Sequence, residues 1–552
     1  MLIKLDYYLA IILGIISLSY FYLTGNISAF EWPSIDMGPF IERYNDPNFL
    51  VNDFFTSSSA QPNPRHIFGY FVIALTTIFA TDWYTIFFGL KALFIIILPI
   101  LFFWTIISIT ANNIEKNNNT RILLSIIVFL GTALVLNNKV GAIFSVAWWK
   151  PLAIIVAPQT LSLILGLLAI VLFYNSTSRS RKVIVPTLFF FATLIHPSIG
   201  AFCLVFLSMV NMKHILKNKK YWFALFLFSV IMPGILLLWI YHVPEPLSAQ
   251  EFVKYYAIEH HSSHYLPSQF GSLTPLPWWV SFGFIIVLMI FSALFATKKK
   301  DYDLLGLSLV FLLGYSGVVI VQYLFVELFP IKIIASLGPS RFTLFGYWML
   351  GILYSILLLK HISLVRVFHL LKWKNKKIII KASPYLAISM ILIIALFASI
   401  AITKVAKDDP FDKIKNENHD LYDWINQNTP KDAVFAIYFD ELTVKFPLVM
   451  KRAVFAGNGF PFREDAFKEY SYRGSLIYGS NEELKKFQGK WIGEKIAKFY
   501  RELKPIDFYN ISKKYRLDYV IIESEFSDEF NKFSPLFSNG KMKVYTTKQF
   551  EK

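Results

Sequence analysis

An aspartate stands among stiff apolar neighbours in "FEWPSIDMGPF" (residues 30–40), just after a run of hydrocarbon side chains, "YYLAIILGIISLSYFYL". Trp32, Pro33 and Pro39 hem Asp36 in. Apolar walls raise a carboxylate's proton affinity and sharpen its interactions, which suits a general base or a metal ligand at a membrane–water boundary. The plain alternative is an acid that caps a short helix or pairs with Arg43. Glu42 is a second carboxylate, one to two turns further along if the segment is helical.

His196 interrupts an apolar run in "TLIHPSIG". An ionisable group inside a membrane segment is expensive and marks function by default, with a hydrogen-bonded structural histidine as the alternative. A protonated ring, or the helix N-terminus after Pro197, suits a phosphate. Arg341, in "LGPSRF", stands where the chain returns to an apolar run, and its planar fork suits a phosphate or diphosphate headgroup as well as interfacial anchoring. Arg65, in "PNPRH", has the same character. In "EHHSSHY", His260 and His264 are spaced i, i+4, so a helix would put them on one face as a metal pair. The usual HExxH order is absent, and a polar loop beside the substrate is the competing reading. A divalent metal is the one cofactor the sequence raises. No phosphate-binding glycine loop, serine elbow or CxxC occurs.

The elements that must carry these residues are membrane helices. The chain has 552 residues, 55% hydrophobic and only 16% charged, more apolar surface than a soluble domain can hide. Apolar runs approach or exceed the roughly 20 residues that cross a bilayer and end near Lys404. The formal charge of +17 gathers between the runs, which is how a positive-inside bias sets topology and argues against nucleic acid as partner. Cys203 is the single cysteine, so a disulfide within the chain is excluded.

Five basic clusters, at 112–121, 179–182, 213–220, 298–300 and 360–377, are placed on the cytoplasmic side. Each intervening stretch must then cross an even number of times. Between Lys182 and Lys213 a split at His196–Gly200 gives two arms of about 13 residues, roughly 20 Å each and short of a roughly 30 Å bilayer core. We expect a short hairpin there, broken by Pro197 and Gly200. Alternation puts the N-terminus inside, a first external loop at about 25–85, a last crossing at about 383–403, and the tail outside. The apolar run at 66–80 is expected as a juxtamembrane or half-inserted helix. The expected fold is a polytopic α-helical membrane protein, 1–404, with about eleven membrane helices including the hairpin, and a C-terminal soluble α/β domain, 405–552. In the tail, "AVFAIYF", "DYVIIES" and "KMKVYTT" alternate as strands, and the last is expected to close the sheet.

The order of signal anchor, long external loop with an early acid, juxtamembrane helix, second loop closing in "APQTLSLILGLLAIVLFY" and short "TLIHPSIG" hairpin resembles the GT-C superfamily of membrane glycosyltransferases, in particular the protein-mannosyl and lipid A aminoarabinosyl transferase type. The tail, with "KRAVFAGNGFPF" and "KKYRLDYVIIES", looks like external domains of bacterial GT-C-like proteins. The resemblance implies a polyprenyl-phosphate sugar donor used at the external face of a bacterial inner membrane, with Asp36 as the catalytic acid–base group. It also implies His196 near the lipid phosphate. Pro158-Gln159 stands where many members have Pro-Asp, so Gln159 replaces a second acid. A non-enzymatic lipid-linked glycan transporter or assembly scaffold would use the same phosphate contacts without a base.

Overall fold

The structure is a computed structural model. It describes residues 2–23, 32–112, 118–136, 155–176, 178–243, 245–270, 278–361, 418–438, 441–457, 460–484, 486–487, 492–524 and 528–551. Along the chain, α1 (Leu2–Leu23) is followed by α2 (Trp32–Asn45), α3 (Phe54–Ser59), α4 (His66–Phe79), α5 (Trp83–Ala111) and α6 (Asn118–Leu136). Next come α7 (Pro158–Asn175), α8 (Ser178–Ile195), α9 (Pro197–Val210) and α10 (Lys219–Ile240), the last with a π turn at Leu227–Ile231. Then α11 (Trp278–Lys299), α12 (Tyr302–Gln322) with a π turn at Tyr323–Leu328, a 3₁₀ turn at Pro339–Phe345 and α13 (Gly346–His361). Among the described residues, seven helices are long and apolar enough to cross a membrane: Leu5–Leu23, Trp83–Ala111, Pro158–Asn175, Lys219–Ile240, Trp278–Lys299, Tyr302–Leu328 and Lys332–His361. Three shorter apolar helices lie at His66–Phe79, Ile122–Leu136 and Pro197–Val210. The crossing expected at 383–403 lies outside the described residues.

The chain divides into two compact bodies. The first comprises Met1–Ala29, Phe87–Ile240 and His261–Thr403. Lipid offers apolar helices no hydrophobic reason to associate, so packing and interhelical hydrogen bonds must do it. Both are present: Phe102 lies on Trp348 with centroids 4.4 Å apart and Phe206 on Phe345 at 4.9 Å. Asn175 donates to Ser108 Oγ (2.7 Å), Asn211 donates to Tyr174 (2.6 Å), and the Ser292 and Ser308 hydroxyls meet at 3.0 Å.

The hairpin forms between Lys182 and Lys213 as expected and differs from the expectation at its tip. Its arms are 18 and 14 residues, and the break is at His196, whose extended backbone (φ −148°, ψ 100°) is the N-cap of α9. Pro197 is the first residue of α9, where a missing N–H costs nothing. Gly200 is not a breaker. A Cβ there would fall 2.3 Å from the Thr193 backbone nitrogen, so glycine is what lets α9 fold back against the last turn of α8.

The second body comprises Phe30–Ile86, Tyr241–His260 and Lys404–Lys552. Its centre is a five-stranded sheet of β1 (Val434–Ile437), β2 (Ala453–Val454), β3 (Tyr519–Glu523), β4 (Phe537–Ser538) and β5 (Met542–Thr546). The order is β2-β1-β3-β5-β4, parallel across β2, β1 and β3, antiparallel at β5 and β4. "KMKVYTT" therefore does not close the sheet, because the two-residue β4 pairs beyond it. Phe435, Val520, Ile521, Val544 and the flanking Tyr500 and Phe508 form its core. Part of the segment expected as the first external loop packs on this sheet. Buried Asp53 caps α3 by accepting from Thr56 N (2.7 Å) and also accepts from Val454 N of β2 (3.1 Å), while Asn52 donates to Asp432 O (2.8 Å).

Candidate functional site

The hairpin tip brings together three polar side chains of the first body, His196, Ser198 and Arg341. His196 Nδ1 accepts from Ile199 N at 3.4 Å, replacing one of the backbone partners that every helix start lacks. Ser198 Oγ lies 3.4 Å from the same nitrogen, and Arg341 donates from a guanidinium nitrogen to Ser198 Oγ at 3.2 Å. The hydroxyl has one proton, and with the guanidinium donating to it, its own O–H can donate to Nδ1. Nδ1 thus serves as an acceptor, and a ring protonated there would lose the cap. Across the tip, Ser162 Oγ of α7 donates to Ala192 O (2.7 Å) and fixes the end of α8.

Arg341 sits in the 3₁₀ turn Pro339–Phe345, which packs on α9 through Phe202 against Phe342 (5.7 Å) and Phe206 against Phe345. Before it, Gly338 takes φ +60°, and a Cβ there would crowd Tyr265 at 3.1 Å and Arg341 Nε at 3.2 Å. The guanidinium lies 5.8 Å from the Tyr265 ring centroid. Helix start, hydroxyl and guanidinium are each groups that can stabilise an anion.

The structure thus joins His196 and Arg341 through Ser198, a residue sequence reasoning passes over. Gln159 lies half-buried in the first turn of α7. Apart from His264, the other candidates belong to the second body. Asp36 is in α2, and its side chain lies outside the described residues. Glu42 accepts from Trp83 Nε1 at 2.8 Å, which ties α2 to the residue opening α5. Arg65 precedes α4 with its guanidinium 3.8 Å from the Phe462 ring centroid. His260 Nε2 meets Ser471 Oγ at 2.9 Å, beside Phe460 and Tyr470.

The expected metal pair does not share a helical face. A π-helical segment, Val253–His260, ends at the first histidine, and a separate short helix, Ser262–Tyr265, carries His264, whose side chain lies outside the described residues. Among the described residues, no group of three or more His, Cys, Asp or Glu is placed to hold a metal ion.

No protein-family model matches the sequence, and no curated protein matches it either. Solved structures similar to this chain include the Archaeoglobus fulgidus oligosaccharyltransferase in its apo form. It is 12% identical with a TM-score of 0.41, over 94% of this chain and 69% of that one. Another is the archaeal oligosaccharyltransferase AglB of the same organism in complex with an inhibitory peptide and a dolichol-phosphate, 13% identical with a TM-score of 0.39 and the same coverage. Likeness of this size does not carry an activity from one protein to another.

Proposed function

We propose that this chain is a membrane glycosyltransferase that moves a sugar from a polyprenyl-phosphate carrier to an acceptor hydroxyl at the external face of a bacterial inner membrane. The observation that supports it is the Arg341–Ser198–His196 constellation at the start of α9, set among apolar helices. A phosphate carried on a hydrocarbon tail needs both features at once, cationic and hydroxyl donors for its head and an apolar surround for its tail.

In this reading the acceptor oxygen attacks the anomeric carbon from the side opposite the phosphate. The carbon–oxygen bond to the phosphate breaks, its electron pair leaves with polyprenyl phosphate, and configuration inverts. The acceptor's proton passes to Asp36. Arg341 and Ser198 stabilise the charge that develops on the leaving phosphate, where preorganised donors act most strongly. His196 orients Ser198.

Positioned proton transfer is worth about 10²–10⁴-fold in rate. Asp36→Asn keeps shape and hydrogen-bonding capacity but takes no proton. Purified full-length protein carrying it is expected to bind lipid-linked donor normally and to transfer sugar slower by about that factor. The assay is transfer from a panel of polyprenyl-phosphate sugars in detergent. Undiminished transfer would remove Asp36 as base. Donor binding without any transfer by the unmutated protein would favour the non-enzymatic transporter or scaffold.

A further inference from the structure

Gln322 ends α12, an otherwise apolar helix, and is fully buried. A buried amide is costly unless both its ends are bonded. Here both ends go to backbone atoms of two different loops. Nε2 donates to Tyr265 O at 2.8 Å, and Oε1 accepts from Ser340 N at 3.3 Å, one residue before Arg341. Tyr265 is the ring facing the Arg341 guanidinium. One side chain therefore fixes both the turn that carries Arg341 and the wall beside it.

The π turn adds a second grip. Residues five apart on an α-helix diverge by about 140°, whereas the i→i+5 winding of a π turn narrows that angle. Phe329 N donates to Leu324 O at 2.8 Å, the bond of that winding. It brings Glu327 round to the side of Gln322, and Glu327 Oε2 accepts from Ser268 N at 3.2 Å. The loop from Tyr265 to Phe270 is held at two points by one helix end.

We propose that Gln322, with the π turn after it, is the positioning residue that keeps Arg341 in register with Ser198, and so sets the affinity of the site for a phosphate monoester on an isoprenoid chain. The ligand class rests on the function proposed above; the positioning does not. Each is therefore tested by its own readout on full-length protein in detergent. Binding of farnesyl phosphate is compared with farnesol. Loosening of the turn is followed by maleimide labelling of Ser340→Cys, since buried Cys203 is the only native cysteine.

Gln322→Leu removes both bonds. It is expected to weaken farnesyl phosphate binding by about tenfold, the worth of roughly one buried hydrogen bond, and to leave farnesol binding unchanged. Labelling at position 340 is expected to speed up by about the same factor. Gln322→Glu, which keeps the acceptor for Ser340 N and loses the donor to Tyr265 O, is expected to fall between. It decides the question on the same readouts if Gln322→Leu does not fold. A residue that only fills space would lower the melting temperature and move neither readout, and that result overturns the proposal. Faster labelling, with farnesyl phosphate and farnesol bound alike by the unmutated protein, would uphold the positioning and defeat the phosphate reading.

Discussion

At the scale of single residues, the second body holds a histidine whose neutrality is built in. His66 Nε2 donates to Ser59 O at 2.8 Å, and its ring stacks on Phe40 with centroids 4.1 Å apart. Burial holds its pKa below the ordinary 6.5, with the bond to Ser59 pulling weakly the other way. Because the folded value is the lower one, the unfolded chain takes the proton first as pH falls. The stability this imidazole contributes is present above about 6.5 and drains away as pH drops from there towards its folded value. The melting temperature of the full-length protein is therefore expected to fall between about pH 7.5 and about pH 5.5. His66→Gln, whose amide can still donate to Ser59 O, is expected to shrink that fall, and an identical pH profile in the variant would refute the account. His196 and Arg341 are legible in sequence because an ionisable group interrupting an apolar run declares itself. Ser198, Tyr265 and Gln322 are not, since serine and tyrosine are unremarkable there and the decisive bonds of Gln322 go to backbone atoms 57 and 18 residues away.

At the scale of elements, helix existence follows from apolar length, whereas how a helix is wound does not. The π turns at Leu227–Ile231 and Tyr323–Leu328 fall in stretches such as "YLFVEL", apolar on nearly every side, where no 3.6-residue stripe marks the register. Glycines show the same limit: Gly200 and Gly317 look alike in sequence and differ in surroundings. A Cβ at Gly200 meets the α8 backbone at 2.3 Å, while nothing lies within 4 Å of one at Gly317. Backbone cannot rotate aside as a side chain can, so Gly200→Ala must push α9 away from α8. We expect it to cost about 1–3 kcal/mol or more, the range of overpacked cores. Gly317→Ala, in the open middle of α12, is expected to be neutral or to stabilise by up to about 1 kcal/mol through helix propensity alone. Comparing the thermal stabilities of the two variants in detergent tests this; equal stabilities would mean that the hairpin is not closed by that contact.

At the scale of the molecule, the three segments that build the second body are the three that charge alternation puts on one side of the membrane: the first loop, the stretch before His261, and the tail after Lys404. A compact body lies on one side of a bilayer, so the chain must cross an even number of times between consecutive segments of it. Among the described residues from the first loop to Tyr241, α5, α7 and α10 are long enough to cross and the shorter α6 can serve as the fourth, provided that α8 and α9 begin and end on the same side. A single crossing at 183–213 would leave the chain on the wrong side. From His261 to the tail, three long apolar helices are described, at Trp278–Lys299, Tyr302–Leu328 and Lys332–His361. Three is odd, and the apolar run at about 383–403 is the sequence able to supply the fourth crossing. Reporter fusions follow directly. A reporter active only outside the cytoplasm should work when joined after Ser248 or after Lys552, and should be silent after Arg181, Lys299 or Lys377. The two fusions flanking the last run are the sharpest. Silence after Lys377 with activity after Lys407 requires one crossing between them, whereas activity at both would break the parity and place the chain's largest basic cluster outside. Activity after Arg181 would do the same to the hairpin, and with it to the anion site proposed at its tip.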